Sequence, residues 1–203
     1  RLFKQIQGQM KKDAQLPDEL HISSPEKAAS QTQHILLIGA TGVIGPHLLR
    51  ALQAHSEATT HCLLHKRHGD NAKQYLLEHL KKNALLKNLD ETRLEIVLGD
   101  IAQGNLGIDD ETYEKLAEKI DLVFHNAAWT NHLRPYMTLD DKTDLRMTNV
   151  VSTRAVLQFA CHKKAKHIHF SSTIGAVNRL DPTGLLTEEL PEERNEGDNL
   201  NAG

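Results

Sequence analysis

A glycine-rich turn between an apolar run and a helical pattern constrains this chain more than any other feature. Residues 34–49 read HILLIGATGVIGPHLL, and the run at 35–38 suits a buried strand. Gly39, Gly42 and Gly45 follow at spacings of three. The apolar positions of a helix then begin: Ile44, Leu48, Leu49 and Leu52. A buried strand, a glycine turn and a helix start form the phosphate-binding corner of a doubly wound α/β sheet.

The three glycines of this corner are expected to serve separate purposes. Gly39 lets the chain turn tightly off the strand, and Gly45 lets the helix pack close to it. Gly42 leaves room for a pyrophosphate to approach backbone N–H groups. Pro46 suits the first helical turn, where a missing N–H costs nothing. A glycine turn without a ligand is the alternative, but the strand before it and the helix after it favour nucleotide binding.

Composition and charge describe an ordinary globular chain. Of the 203 residues, 39% are hydrophobic and 25% charged, and the net charge of −3 gives no electrostatic case for nucleic acid or membrane surfaces. Cys62 and Cys161 are expected to be small core hydrophobes in a reducing compartment. No apolar run reaches the ~18–20 residues of a membrane span. No signal peptide is visible in a sequence that starts at Arg1 rather than Met, which leaves a missing N-terminal segment open. We expect a piece of a cytoplasmic protein without nucleic-acid partner or membrane span.

Strand and helix patterns alternate from His34 onward. We predict strands at 34–39, 59–65, 93–98, 121–126 and 166–171, and helices at 43–55, 70–87, 110–119 and 141–163. Five strands alternating with helices imply a parallel sheet with right-handed crossovers. The predicted fold is therefore α/β: a Rossmann-like doubly wound parallel sheet with helices on both faces.

The segments outside this alternation predict the domain organisation. Residues 1–33 lack a strand pattern and are expected to form a lead-in with one polar helix at 2–14. Residues 34–203 then form the nucleotide-binding domain. Its last part, 178–203, carries an excess of Asp and Glu and is expected to be a solvated loop.

The residues after the second predicted strand bear on the choice of cofactor. Ligands of open α/β sheets bind beyond the carboxyl ends of the strands. Here the second strand ends in His65-Lys66-Arg67-His68, where an NAD-preferring domain would place an acid, and the first acid is Asp70. The Lys and Arg offer cationic donors for a 2′-phosphate, which predicts NADP(H); a basic surface turn is the alternative.

Polar and small residues follow the third and fourth predicted strands. Asp100-Ile101 could flank an adenine ring, with the carboxylate accepting from the exocyclic amine, although Asp at a strand end is often only a turn residue. Asn126-Ala127-Ala128 would place two small side chains beside the cofactor ribose.

A hydroxyl cluster, Ser171-Ser172-Thr173, follows the fifth predicted strand. A hydroxyl there can donate to a carbonyl oxygen as charge builds on it during hydride transfer. A helix N-cap or turn is the alternative. His167 and His169 share one face of the same strand, but no third ligand has suitable spacing, so we expect no metal site.

Together these motifs resemble the extended short-chain dehydrogenase/reductases. The resemblance covers residues 10–203. Within that family, the chain is most similar to the thioester reductase domains that end nonribosomal peptide synthetases and carboxylic acid reductases. The motifs that carry it are Gly39-x-x-Gly42-x-x-Gly45, Gly99-Asp100-Ile101, His125-Asn126-Ala127-Ala128, Asn149-Val-Val-Ser-Thr153 and Phe170-Ser-Ser-Thr173.

The resemblance implies a role for each site residue. Thr173 would be the hydroxyl of a Thr-Tyr-Lys catalytic triad, and Asn149 would order the helix beside it. His65 stands where the family often has Arg. The cofactor-binding residues implied are Gly39, Thr41, Gly42, Val43, Ile44, Gly45, His65, Lys66, Arg67, Asp100, Ile101, Asn126, Ala127, Ala128, Asn149, Ser171 and Ser172.

One part of the family pattern is missing from the sequence. The last tyrosine is Tyr136 and the last lysine is Lys166, so no Tyr-x-x-x-Lys follows Thr173. In the family this pair follows a glycine near the position of Gly203 and supplies the proton donor and its cation. We therefore expect a C-terminally truncated domain that is inactive alone and a parent protein that continues with Tyr-x-x-x-Lys.

The resemblance implies an NADPH-dependent thioester reductase. It would release an acyl or peptidyl group from a phosphopantetheine-loaded carrier protein as an aldehyde or alcohol. Three alternatives remain: a fatty acyl-CoA reductase, a sugar-nucleotide epimerase or dehydratase of the same fold, and a non-catalytic module that senses NADP(H).

Overall fold

A computed structural model of the chain describes residues 2–17, 20, 25, 27–131, 133–137 and 145–173. The acidic segment at 178–203 and the first residues of the helix predicted at 141–163 lie outside this set. The chain divides into two compact units, Arg1–Ser171 and Ser172–Gly203. The first unit contains every strand and helix described below.

Five parallel strands form the sheet, as the alternating patterns predict. They are β1 (His34–Ile38), β2 (Thr59–His65), β3 (Leu94–Gly99), β4 (Leu122–His125) and β5 (His167–Phe170), in the spatial order β3-β2-β1-β4-β5. The order runs outward from β1 to β3 on one side and from β4 to β5 on the other. It therefore reverses between β1 and β4, and ligands of such sheets bind beyond the strand ends at this point.

Five α-helices accompany the strands in the described residues. They are α1 (Leu2–Asp13), α2 (Gly45–His55), α3 (Ala72–Lys82), α4 (Asp110–Lys119) and α5 (Ser152–Cys161). A π-helical turn, Arg146–Val151, leads directly into α5. None of these helices is long and apolar enough to cross a membrane.

Apolar clusters cover both faces of the sheet. On one face, Leu37 of β1 packs with Leu49 of α2 and Leu76 of α3. On the other, Leu36 and Phe159 belong to the cluster that includes α4 and α5. Strands buried on both faces read as continuous apolar runs, which explains the run at 35–38. The Rossmann-like doubly wound fold is confirmed.

Several predicted helix boundaries are wrong. The sequence pattern predicts that the second helix reaches 87, but α3 ends at Lys82 because Ala84 adopts a φ of +55°, outside the helical region. The pattern places the start of the first helix at 43, but α2 begins at Gly45, and Ile44 is exposed rather than part of the apolar face. Cys62 is fully buried as expected, whereas Cys161 is only half-buried.

A buried carboxylate ties the lead-in to the start of the sheet. The Asp121 side chain is 2% exposed and accepts from the backbone N–H of Gln33 (2.9 Å) and His34 (3.2 Å). The ammonium groups of Lys27 (3.0 Å) and Lys164 (2.8 Å) complete the set. Burial favours the neutral acid, but these donors outweigh it and hold the pKa of Asp121 well below its usual range.

Candidate functional site

The glycine corner brings the ends of β1 and β4 into direct backbone contact. Gly39 has a φ of +90°, and a Cβ there would lie 2.7 Å from the carbonyl carbon of Asn126. A Cβ at Gly45 would overlap the carbonyl oxygen of Gly39 and lie 2.5 Å from the carbonyl carbon of Ala40. The tight turn at Gly39 and the close packing at Gly45 are confirmed, since neither position has room for a side chain.

Gly42 differs from the other two glycines of the corner. A Cβ there would meet only the Gly39 carbonyl oxygen, at the ordinary contact distance of 3.5 Å. The adjoining Val43 is 92% exposed, and Ile44 is also exposed. The fold itself therefore does not require glycine at position 42, and the turn presents an open surface there.

The start of α2 has free anion-binding capacity. The first N–H groups of a helix have no intrahelical partner. Here the N-cap residue, Ile44, has no side-chain acceptor, and Pro46 follows within the first turn. The start of α2 thus has no side-chain cap, and the helix dipole favours a negative group beside it.

Small side chains follow β4 next to the corner. The N–H of Asn126 donates to the Ile38 carbonyl (2.9 Å), and its side-chain amide donates to the Gly39 carbonyl (3.4 Å). Ala127 is half-buried and Ala128 is exposed. Asn126, Ala127 and Gly39 are thus brought together at the point where the strand order reverses.

Asn149 holds the loop that continues from β4. Its side-chain oxygen accepts from the backbone N–H of Trp129 (2.7 Å), and its side-chain nitrogen donates to the carbonyl of the same residue (2.9 Å). The guanidinium of Arg134 lies 5.6 Å from the centre of the indole ring. Asn149 therefore binds this loop at two points, and the helix-ordering role that the resemblance implies stays a prediction.

A buried histidine at the end of β4 supports Asn149 through the hydroxyl of Thr153. His125, the last residue of β4, is fully buried, and its Nε2 lies 3.0 Å from the Thr153 hydroxyl. That hydroxyl donates to the Asn149 carbonyl (2.6 Å), so it accepts from His125, whose proton is on Nε2. Burial lowers the pKa of His125 to about 4. Among the described residues, its Nδ1 has no hydrogen-bond partner.

The basic turn after β2 is organised by its first residue. His65 Nδ1 accepts from the backbone N–H of Arg67 (3.1 Å), so His65 caps the short 3-10 turn that follows. Lys66 and Arg67 are both exposed. The Lys66 ammonium donates to the side-chain oxygen of Gln103 (2.6 Å), which comes from the loop after β3.

Asp100 is held by its own loop. Its two carboxylate oxygens accept from the backbone N–H of Ala102 (3.0 Å) and from the side-chain amide of Gln103 (2.9 Å). Asp100 therefore acts as a turn residue, which is the alternative that the sequence left open. Ile101 packs against the adjoining apolar cluster. Gln103 joins Lys66 to Asp100, and sequence reasoning missed it because a lone Gln in a loop carries no pattern.

The predicted site residues fall into groups along the carboxyl edge of the sheet. One group joins the glycine corner, residues 126–128 and Asn149; another joins residues 65–67 and Asp100. The N–H of Ser171 donates to the His125 carbonyl (2.9 Å), which extends the β4–β5 pairing. Ser172 and Thr173 are exposed and begin the second compact unit, so their roles stay predictions. The described residues contain no cluster of three potential metal ligands.

The sequence is similar to a known protein family and to a large synthetase. The sequence profile of a family described as "Male sterility protein" (NAD_binding_4) matches residues 37–202. A linear gramicidin synthase from Brevibacillus parabrevis is 34% identical over 166 residues, which is 80% of this chain and 3% of that protein.

Two of the solved structures that are similar to this chain illustrate the shared fold. The terminal R domain of the myxalamid PKS-NRPS pathway superposes with a TM-score of 0.72 at 28% identity, covering 85% of this chain and 43% of that one. A thiolation-reductase di-domain from an archaeal non-ribosomal peptide synthetase has a TM-score of 0.51 at 26% identity, covering 69% and 27% respectively. The chain thus spans less than half the length of each of these proteins.

The buried His125 predicts a pH dependence of stability. Its folded pKa of about 4 lies below the ~6.5 of an unfolded histidine, so the stabilisation is complete above pH ~6.5 and is lost as the pH falls toward 4. At pH 5 the loss reaches about 2 kcal/mol of unfolding free energy. In urea unfolding experiments, the free energy of unfolding of His125→Gln should fall less steeply than that of the wild type as the pH is lowered from 6.5 to 4. The slope compared is that of the unfolding free energy against pH.

An exposed histidine supplies the control for this measurement. His47→Gln should keep the wild-type pH profile, because that side chain lies in solvent. An unchanged slope in His125→Gln would contradict the assignment of a buried neutral imidazole.

Proposed function

The chain belongs to the family described as Male sterility protein, and from this membership we propose that it is the NADP(H)-binding part of a thioester reductase domain. The parent protein would reduce an acyl or peptidyl thioester held on a carrier protein and release an aldehyde or alcohol.

The open surface at Gly42 carries the proposal. Gly39 and Gly45 have no room for a Cβ, so the fold alone explains them. Gly42 has room, and the packing of the protein gives no reason for glycine there. A group that approaches the backbone from outside supplies that reason, and the uncapped start of α2 suits a negatively charged one.

The groups of the carboxyl edge suit different parts of a dinucleotide. The corner at 39–45 would hold the pyrophosphate through backbone N–H groups. The small side chains of Ala127 and Ala128 would leave space for the ribose next to the nicotinamide. Ile101 and Asp100 would lie against the adenine, with Asp100 also keeping its loop in shape. When bound, NADPH supplies the hydride that reduces the thioester carbonyl.

Charge favours NADP(H) over NAD(H) in this proposal. Lys66 and Arg67 present cations after β2, and Gln103 holds the Lys66 ammonium between the ends of β2 and β3. A 2′-phosphate binds well between such donors.

The remaining roles in this proposal come from the family resemblance. Thr173 would donate a hydrogen bond to the substrate carbonyl oxygen, while a Tyr-x-x-x-Lys pair outside this sequence would supply the proton. The partner would be a phosphopantetheine-loaded carrier protein. The similarity to a thiolation-reductase di-domain supports that partner.

The basic turn after β2 should determine cofactor preference. Lys66→Ala and Arg67→Ala should each weaken NADPH binding by about tenfold or more, as expected for a lost charge-assisted hydrogen bond, and leave NADH binding unchanged. Lys82→Ala, which removes an exposed charge at the end of α3, serves as control. Titration calorimetry with both cofactors measures the effect. Equal losses for NADPH and NADH would contradict the assignment to the 2′-phosphate.

Turnover of a carrier-bound thioester tests the activity. A protein that contains this chain should oxidise NADPH when given an acyl thioester on phosphopantetheine, and release free thiol with aldehyde or alcohol. Thr173→Val should lower kcat by about 10²-fold or more, because it removes a donor to the developing oxyanion, and Thr173→Ser should retain most of it. Loaded carrier without aldehyde or alcohol product would rule the proposal out.

A further inference from the structure

A buried carboxylate at the end of α1 binds two side chains that lie far away in sequence. The Asp13 side chain is 3% exposed. The Arg146 guanidinium donates to both of its oxygens, from Nε (2.6 Å) and Nη2 (3.1 Å). The Tyr136 hydroxyl (2.6 Å) and the Gln9 amide (3.0 Å) donate as well. Burial favours the neutral acid, but these donors outweigh it and lower the pKa of Asp13.

The guanidinium of Arg154 binds backbone carbonyl groups at the end of α1. Its Nη2 lies 2.9 Å from each of the carbonyl oxygens of Lys12, Asp13 and Gln15. The last carbonyls of a helix lack intrahelical partners and carry its negative dipole end, so a guanidinium stabilises them. The end of α1 is thereby attached to α5 as well as to the turn that precedes it.

The partners of Asp13 lead directly to the clamp on the cofactor-side loop. Arg146 opens the π-helical turn that carries Asn149, and its backbone N–H donates to the Tyr136 carbonyl (2.9 Å). Asn149 in turn holds the N–H and carbonyl of Trp129. Asp13 therefore binds both Tyr136, in the segment that follows β4, and Arg146, the first residue of the turn that carries Asn149.

Attachment of the lead-in alone does not explain this arrangement. The lead-in is already tied to the sheet by Asp121, which binds Lys27 and two backbone N–H groups. Among the described side chains of α1, the large apolar residues Phe3 and Met10 are exposed. Buried ion pairs add little stability over apolar packing, and their best-attested use is to fix one geometry.

We propose that Asp13 is a positioning residue that holds the loop at 126–131 in its cofactor-binding shape from the preceding helix. It draws Arg146 and Tyr136 together, which keeps the π-helical turn in register, and the turn keeps Asn149 against Trp129. The amino-terminal helix and the ribose side of the cofactor site are then one coupled unit. The inference rests on the proposed function only in taking this loop as part of the cofactor site.

The sequence provides its own probe for this coupling. Trp129 is the single tryptophan of the chain and sits in the clamped loop. Its emission and its quenching by acrylamide therefore report on the loop without any label. Asp121→Asn is the matched control, because it also removes the charge of a buried carboxylate that anchors the lead-in, but at the opposite edge of the sheet.

Asp13→Asn should loosen the loop, while Asp121→Asn should only lower the Tm. Below both Tm values, Asp13→Asn is expected to shift the Trp129 emission to the red, raise its quenching constant and weaken NADPH binding by about fivefold or more. Asp121→Asn is expected to keep wild-type emission, quenching and affinity. Tyr136→Phe, which removes one hydrogen bond and keeps the ion pair, gives the same changes in smaller degree if Asp13→Asn fails to fold.

Two results overturn the inference. One is wild-type fluorescence and NADPH affinity in Asp13→Asn, or in Tyr136→Phe where that variant is used instead. The other is an equal change in Asp121→Asn, which would indicate a general loss of rigidity. If the wild-type chain binds no NADPH, the proposed cofactor site fails, and the fluorescence comparison still decides whether Asp13 holds the loop.

Discussion

The backbone contact between the ends of β1 and β4 is the constraint on which the site depends. Gly39 turns with a φ of +90° directly against the carbonyl of Asn126, and Gly45 starts α2 against the Gly39 carbonyl. Any side chain at either glycine would push the two strand ends or the helix apart. This contact lies where the strand order reverses, so the start of α2 lies at the edge of the sheet where ligands of such folds bind.

Polar side chains then fix the loops around this contact. The fully buried His125 supports Thr153, which binds the Asn149 carbonyl, while Asn149 clamps Trp129. Asp13 adds a link from the amino-terminal helix to the same turn. These bonds join segments far apart in sequence, so the order of the site depends on the lead-in as well as on the sheet.

Local patterns are sufficient for the fold and insufficient for the contacts between loops. The alternation of strand and helix patterns places all five strands within one residue of their observed ends. The apolar run of β1 is the clearest of these signals, because a strand buried on both faces reads as a continuous hydrophobic segment. The end of α3 is predicted too late because the left-handed conformation of Ala84 has no signature in composition. The long-range contacts of Gln103 and of Asp13 escape sequence reasoning. Lys66 lies 37 residues from Gln103, and Tyr136 lies 123 residues from Asp13. Thr173 remains a prediction from motif order.

A single methyl group at position 42 tests the central claim most directly. The fold accepts a Cβ there at ordinary contact distance, whereas a pyrophosphate lying on the turn would collide with it. Titration calorimetry of Gly42→Ala, with its Tm measured in parallel, should show a wild-type Tm and an NADPH affinity reduced by about tenfold or more. Unchanged affinity in a variant with a wild-type Tm would contradict the assignment of the glycine corner as the pyrophosphate site.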